Sequence, residues 1–166
     1  YTIDNHAPWY SSADDITKVV IEEGVTGIGD YAFYGFDNLT EVTIAGSVNT
    51  IGNYAFIYCY ALEDVTIPDG VTTIGEYAFY GCTGLENITI PDSVTSIGKC
   101  SFYRCTSLDG ITIPDGITSI ETSTFFGCSS LSGIISPDSV TSIGESAFDG
   151  CSSLGNITIP DFRKRH

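Results

Sequence analysis

A repeat protein wound as a parallel-strand solenoid is the fold class this sequence predicts, and three observations predict it. The first is a 23-residue period. It places Phe33, Phe56, Phe79, Phe102, Phe125 and Phe148 in one column and Leu39, Leu62, Leu85, Leu108, Leu131 and Leu154 in another. Ile28, Ile51, Ile74, Ile97, Ile120 and Ile143 form a third column, and Val42, Val65, Ile88, Ile111, Ile134 and Ile157 a fourth. The second observation is the period-2 alternation around that fourth column, the pattern of a half-buried strand. The third is that turn residues recur at fixed offsets, so the 18 glycines are distributed by repeat position. A unit with so few large apolar residues cannot bury its own face, whereas stacked units bury a continuous core.

The elements follow in order. Residues 1–18 lack the repeat and carry the single Trp, Trp9, so they read as an N-terminal cap over an edge that would otherwise template aggregation. Residues 19–161 form the array. In its fourth unit Ile88 and Ile90 alternate with Asn87 and Thr89 as a strand, which Pro91-Asp92-Ser93 stops by turn chemistry. Val94-Thr95-Ser96-Ile97 is a second short strand and Gly98 a second turn. Phe102 and Cys105 stand at a helical or 3₁₀ spacing before Leu108 leads to the next coil. Six full coils and a partial seventh, beginning at Asn156, predict a stack of roughly 30–35 Å at about 4.8 Å per coil. Residues 162–166 are a basic tail, native or appended, in which Phe162 plugs the core or the charges blunt the edge.

Charge limits the partners. Residues 1–161 carry three basic side chains against all 21 acidic ones, a formal −18, which repels nucleic acid and anionic membrane and favours basic partners. No run approaches the ~18 apolar residues of a membrane-spanning helix, so no direct membrane insertion is expected. There is neither a signal peptide nor any Met, so the chain reads as a mature or trimmed fragment and the missing signal says little about export.

The frame Leu-x-x-Ile-x-Ile-Pro-x-x-Val-x-x-Ile-Gly-x-x-Ala-Phe-x-x-Cys, as in Leu85, Ile88, Ile90, Pro91, Val94, Ile97, Gly98, Phe102 and Cys105, closely resembles the BspA-like leucine-rich repeat family. The resemblance covers residues 19–161. It implies a right-handed leucine-rich-repeat solenoid, mostly β or α/β, with a parallel sheet on one face. It also implies export and surface display, several relatives being adhesins, and no catalytic residues. Phe36 departs from the frame at the Cys, Glu121 at the Gly, and Ser101 and Thr124 at the Ala. Ile134-Ile135-Ser136-Pro137 swaps the usual order, so Ile135 is expected outward and Ser136 inward, weakening that coil or marking a contact surface.

Site chemistry is sparse. Cys59, Cys82, Cys105, Cys128 and Cys151 stack as a ladder, without the close pairs that zinc sites use and too far apart for easy disulfides. They read as buried free thiols, while Cys100, in the column of Tyr31, Tyr54 and Tyr77, is expected near the surface. The two histidines, His6 and His166, are not joined by any hydrolase, zinc-protease or phosphate-loop motif. No enzyme activity, cofactor or metal is therefore expected. Asp69, Asp92, Asp115, Asp138 and Asp161 form a row after the prolines. Calcium is one reading of that row, and turn carboxylates bonding nearby backbone N–H groups is the favoured one.

Three outward stripes remain. Glu41, Glu63, Asp64, Glu86 and Asp109 crowd the N-terminal half of the sheet face, where solvation and docking of a basic partner are both open readings. Tyr34, Tyr80, Tyr103 and Phe126 form an aromatic stripe interrupted by Ile57, read first as packing between coils and second as a contact face. Thr43, Thr66, Thr89 and Thr112 form a third stripe, ordinary for exposed strand positions and a remote candidate for ice binding. The expectation is an extracellular or cell-surface protein-recognition module, adhesin-like and non-catalytic, its partner a basic or host extracellular protein. The alternative is a rigid spacer displaying another domain.

Overall fold

The computed structural model describes residues 1–2 and 4–158. Front strands β1 (Lys18–Ile21), β3 (Glu41–Ile44), β5 (Asp64–Thr66), β7 (Asn87–Thr89), β9 (Gly110–Thr112) and β11 (Gly133–Ile135) alternate with two-residue side strands. These are β2 (Gly27–Ile28), β4 (Thr50–Ile51), β6 (Thr73–Ile74), β8 (Ser96–Ile97), β10 (Ser119–Ile120) and β12 (Ser142–Ile143). The strands pair in parallel at the repeat period, Val42 opposite Val65 and Val65 opposite Ile88. Each coil supplies the crossover that parallel neighbours require. A 3₁₀ turn at Tyr10–Ser12 is the one helical element among the described residues.

Six front strands make five turns from first to last, about 24 Å at ~4.8 Å per turn. The expected seventh coil has no strand among the described residues, although Ile157 is half-buried. Asp161, Phe162 and the basic tail lie outside the described residues.

The repeated apolar columns form one core. Phe56, Phe79, Phe102 and Phe125 are fully buried. Successive rings from Phe33 to Phe148 stack 5.2–5.6 Å apart and within 14° of parallel. Each such pair is worth about 0.5–1.5 kcal/mol beyond its buried area. The cysteines complete this core with hydrogen bonds. Cys59, Cys82, Cys105, Cys128 and Cys151 each point Sγ at the carbonyl of the Phe 26 residues earlier, at 3.0–3.2 Å. At Phe56, Phe79, Phe102 and Phe125 the carbonyl already accepts a backbone N–H at 3.1–3.2 Å, and the S–H fills its second lone pair, which another small apolar residue would not do.

The third face is built from left-handed turns. Tyr31, Tyr54, Tyr77, Cys100, Ser123 and Ser146 all have φ between 53° and 59°. A non-Gly residue there costs about 1–2 kcal/mol. The conformation recurs because it aims each N–H along the stack, as in Tyr54 N to Glu76 O at 2.9 Å and Tyr77 N to Lys99 O at 3.0 Å. A second left-handed column holds Gly35, Gly81, Gly127 and Gly150, but Tyr58 and Arg104 in the intervening coils. The glycines make room there: a Cβ on Gly81 would stand 2.9 Å from the Tyr58 ring, and one on Gly127 3.1 Å from the Arg104 stem.

One joint in the stack is open. The front sheet runs β1-β3-β5-β7 and stops, and β9 pairs only with β11. The side sheet runs β2-β4-β6-β8 and stops, and β10 pairs only with β12. The break coincides with Glu121, which occupies the column of Gly52, Gly75, Gly98 and Gly144. At those glycines a Cβ would meet the preceding coil's backbone nitrogen at 2.4–2.7 Å. Their N–H groups bond the coil before, Gly98 N to Ile74 O at 2.9 Å and Gly144 N to Ile120 O at 2.7 Å. Glu121 makes no such bond to Ile97 among the described residues. The left-handed face stays closed across the joint, through Cys100 N to Thr122 O at 3.1 Å and Phe102 N to Thr124 O at 3.0 Å.

Candidate interaction surfaces

The front strands present one outward column at Lys18, Glu41, Asp64 and Asn87, in register across the first sheet, and at Gly110 and Gly133, paired with each other beyond the joint. Thr40, Glu63, Glu86, Asp109 and Ser132 lie one residue earlier. All five acidic residues expected on this face are exposed. They are not equivalent. Glu41 is neutralised by Lys18, Nζ to Oε2 at 2.7 Å, both side chains being more than half exposed. Asp64 accepts a hydrogen bond from Asn87 Nδ2 at 3.0 Å and Asp109 one from Ser132 Oγ at 2.8 Å. Glu63, Asp64, Glu86 and Asp109 face no cation among the described residues, whose other ion pair is Lys99–Glu76. The uncompensated charge therefore spans three coils, and the pairing of Glu41 was legible in the shared column of Lys18 and Glu41.

The aromatic stripe both packs and stays accessible. Tyr80, Tyr103 and Phe126 stack at 4.5 and 4.7 Å, and Tyr31, Tyr54 and Tyr77 at 4.6 and 4.8 Å. All six rings are half-buried. Ile57, 7 % exposed, interrupts the column as expected. Tyr58 fills the gap from the left-handed column, edge-on to Tyr34 at 6.2 Å and to Tyr80 at 5.5 Å. The sequence reading missed Tyr58, and its signal was a Tyr standing in a glycine column. Toward the N-terminus the stripe continues through Tyr10 and His6, whose rings stack at 3.8 Å. Trp9 lies over Phe33 at 5.9 Å and donates its indole N–H to the Ala32 carbonyl at 2.8 Å.

Two expectations need correcting. Cys100 is not a surface thiol: it is buried at 9 % exposure, level with Cys151. It lies in the tyrosine column against Tyr77, its Sγ 3.9 Å from the Thr122 carbonyl, and its hydrogen bond with the Tyr77 phenol is the main reason that phenol is pushed up to about 12. The turn aspartates Asp69, Asp92 and Asp115 bond no backbone N–H among the described residues. The turns close through the backbone alone, Val71 N to Pro68 O, Val94 N to Pro91 O and Ile117 N to Pro114 O at 3.0–3.1 Å. The swapped sixth strand does turn Ile135 out, at 68 % exposure, and leaves Ser136 half-buried.

The ladder thiols sit where reactivity is suppressed. Burial pushes Cys59, Cys82 and Cys105 well above the ordinary thiol value of 9.0, with each next thiol in the ladder adding to the effect. Cys128 is pushed up to about 12 by the same causes. No described group of three His, Cys, Asp or Glu could hold a metal ion, and no described helix is long and apolar enough to cross a membrane.

Comparison with known proteins agrees with this geometry. Six copies of the BspA type leucine rich repeat region match residues 2–92 and 49–165. A leucine-rich repeat protein of T. pallidum is 28% identical over 84% of this chain and 78% of its own, with a TM-score of 0.67. One from Eubacterium ventriosum is 26% identical over 86% of this chain and 54% of its own, with a TM-score of 0.55. The pneumococcal vaccine antigen PcpA shares the fold at 20% identity and a TM-score of 0.63, this chain spanning 40% of its length. A comparison with curated proteins returns no match. On the repeat, its register and these matches, the chain belongs to the BspA-type leucine-rich repeat family.

Proposed function

We propose that the chain is a secreted or cell-surface recognition module, adhesin-like and non-catalytic, which holds a basic or host extracellular protein on its strand face. One observation carries this reading: Asp64 on β5, and Glu63, Glu86 and Asp109 at the entries to β5, β7 and β9, stand exposed with no cation opposite them among the described residues. Charges fixed on the strand face sum into a local field that raises association rates and is screened by salt. Family membership supports a protein-interaction role.

The test is a pull-down from host secretions, followed by association kinetics with the captured protein. Neutralising the face (Glu63→Gln, Asp64→Asn, Glu86→Gln) slows association severalfold at low salt and leaves the fold intact. Asp92→Asn with Asp115→Asn, away from the face, changes neither. A partner whose association ignores both salt and the triple substitution makes the charge a matter of solvation. The stripe through Tyr34, Tyr58, Tyr80 and Tyr103 is then the surface to substitute.

A further inference from the structure

The strand face is not uniform along the stack. Its outward column carries side chains at Glu41, Asp64 and Asn87 and none at Gly110 and Gly133. A shallow depression of about 440 Å³ opens over these glycines, with Ile88 and Ile111 at its floor where β7 and β9 do not pair. Ile135 stands at its rim, 68 % exposed, beside a column of threonines. The acidic half therefore continues into an apolar notch.

Resting on the recognition reading above, we propose that this face takes a cationic amphipathic helix lying along the stack. An apolar residue seats in the notch against Ile135, and basic residues lie over Asp109, Glu86 and Glu63. Spacing favours a helix over an extended strand. Moving from the sixth coil, the three carboxylates come about 5, 10 and 14 Å along the axis. Successive turns of a helix bring one face round every 5.4 Å, so residues four, seven and eleven positions on fall within about 2 Å of those stations. An extended strand repeats a face every ~6.7 Å and is out of step by the second coil. The acidic row lies one residue from the glycine column of the notch, about 3.4 Å, so one stripe of a helix reaches both, with Ile135 two residues beyond as the flank of the notch. Charge complementarity fixes the partner's sign, and Glu41 drops out because Lys18 already neutralises it. The division of labour is that carboxylates speed encounter and the desolvated notch slows release.

The test uses the whole chain and a fluorescent helical peptide with one Leu followed by Lys four, seven and eleven positions later. A peptide of the same composition in scrambled order is the comparison. Two variants probe the notch. Ile135→Ser removes an exposed side chain, and Gly133→Lys adds one where a Cβ meets nothing within 4 Å, so both fold. The ordered peptide binds more tightly than the scrambled one, and each notch variant weakens it about tenfold or more. Glu86→Gln with Asp109→Asn slows its association at low salt. If both peptides bind alike, or the notch variants leave affinity unchanged while the carboxylate variant does not, the helix proposal is overturned and the acidic recognition face stands. Absence of binding by either peptide also overturns it, leaving the recognition reading to the salt and triple-substitution test.

Discussion

Raising the pH should unfold this protein through its thiol ladder. Cys59, Cys82, Cys105 and Cys128 have no exposed surface, and each is held above its ordinary 9.0 by burial. A thiol whose folded pKa exceeds its unfolded one gives its full contribution below pH 9 and loses it as pH climbs toward the folded value, about 12 for Cys128. At pH 10 the unfolded chain gains about 1.4 kcal/mol per ionising thiol, so four thiols remove roughly 5–6 kcal/mol. That is comparable with the whole stability of an ordinary domain, about 5–15 kcal/mol. Urea unfolding under reductant at pH 7.5, 9 and 10 measures the slope. Cys82→Ala alone should flatten it by about a quarter, and Cys82→Ala with Cys105→Ala by about half, although both variants start less stable. A pH dependence that ignores both substitutions would refute the ladder as the cause, and would shift attention to Tyr77, which titrates in the same direction.

Other substitutions test single contacts. Glu121→Gly should let β8 pair with β10 and raise stability by about 1–2 kcal/mol for the recovered backbone bonds, with slower amide exchange at Ile97 and Glu121. Gly98→Ala should do the reverse, opening the joint one coil earlier and costing about 1–3 kcal/mol in urea unfolding, because its Cβ would stand 2.5 Å from Glu76 N. At pH 7.5 Cys82→Ala should cost about 0.5–1.5 kcal/mol, since the Phe56 carbonyl loses this bond but keeps the one from Cys59 N. Asp92→Asn should move the thermal midpoint little, within about 0.5 kcal/mol, as its carboxylate closes no turn.

Register and core were readable because they follow from one period: residues 23 apart, such as Val42 and Val65, face each other in the sheet. What escaped sequence reading depends on directions that a residue's type does not encode. Nothing in Tyr31, Cys100 or Ser146 announces a left-handed backbone, and Cys100 is buried because a small side chain stands in a column of tyrosines, against Tyr77. The thiol hydrogen bonds join Cys to a carbonyl 26 residues back, an offset that the 23-residue columns conceal. Glu121 stood out as a departure, but its consequence did not. A glycine serving a turn and one admitting a neighbouring backbone look alike in sequence. On the candidate face the carboxylates were legible from their strand positions, whereas the notch needed the missing β7–β9 pairing to be seen.

The open joint also changes how the chain can come apart. A repeat array unfolds as one body only while every interface between neighbours is strong enough to make partial states rare. Here the first four coils share two unbroken ladders, and the last two are tied to them mainly by the left-handed face and the Phe102–Phe125 stack at 5.6 Å. The weakest nearest-neighbour term therefore sits two-thirds of the way along. The coils beyond it form a smaller cooperative unit, able to open and reclose while Glu63, Asp64 and Glu86 keep their places.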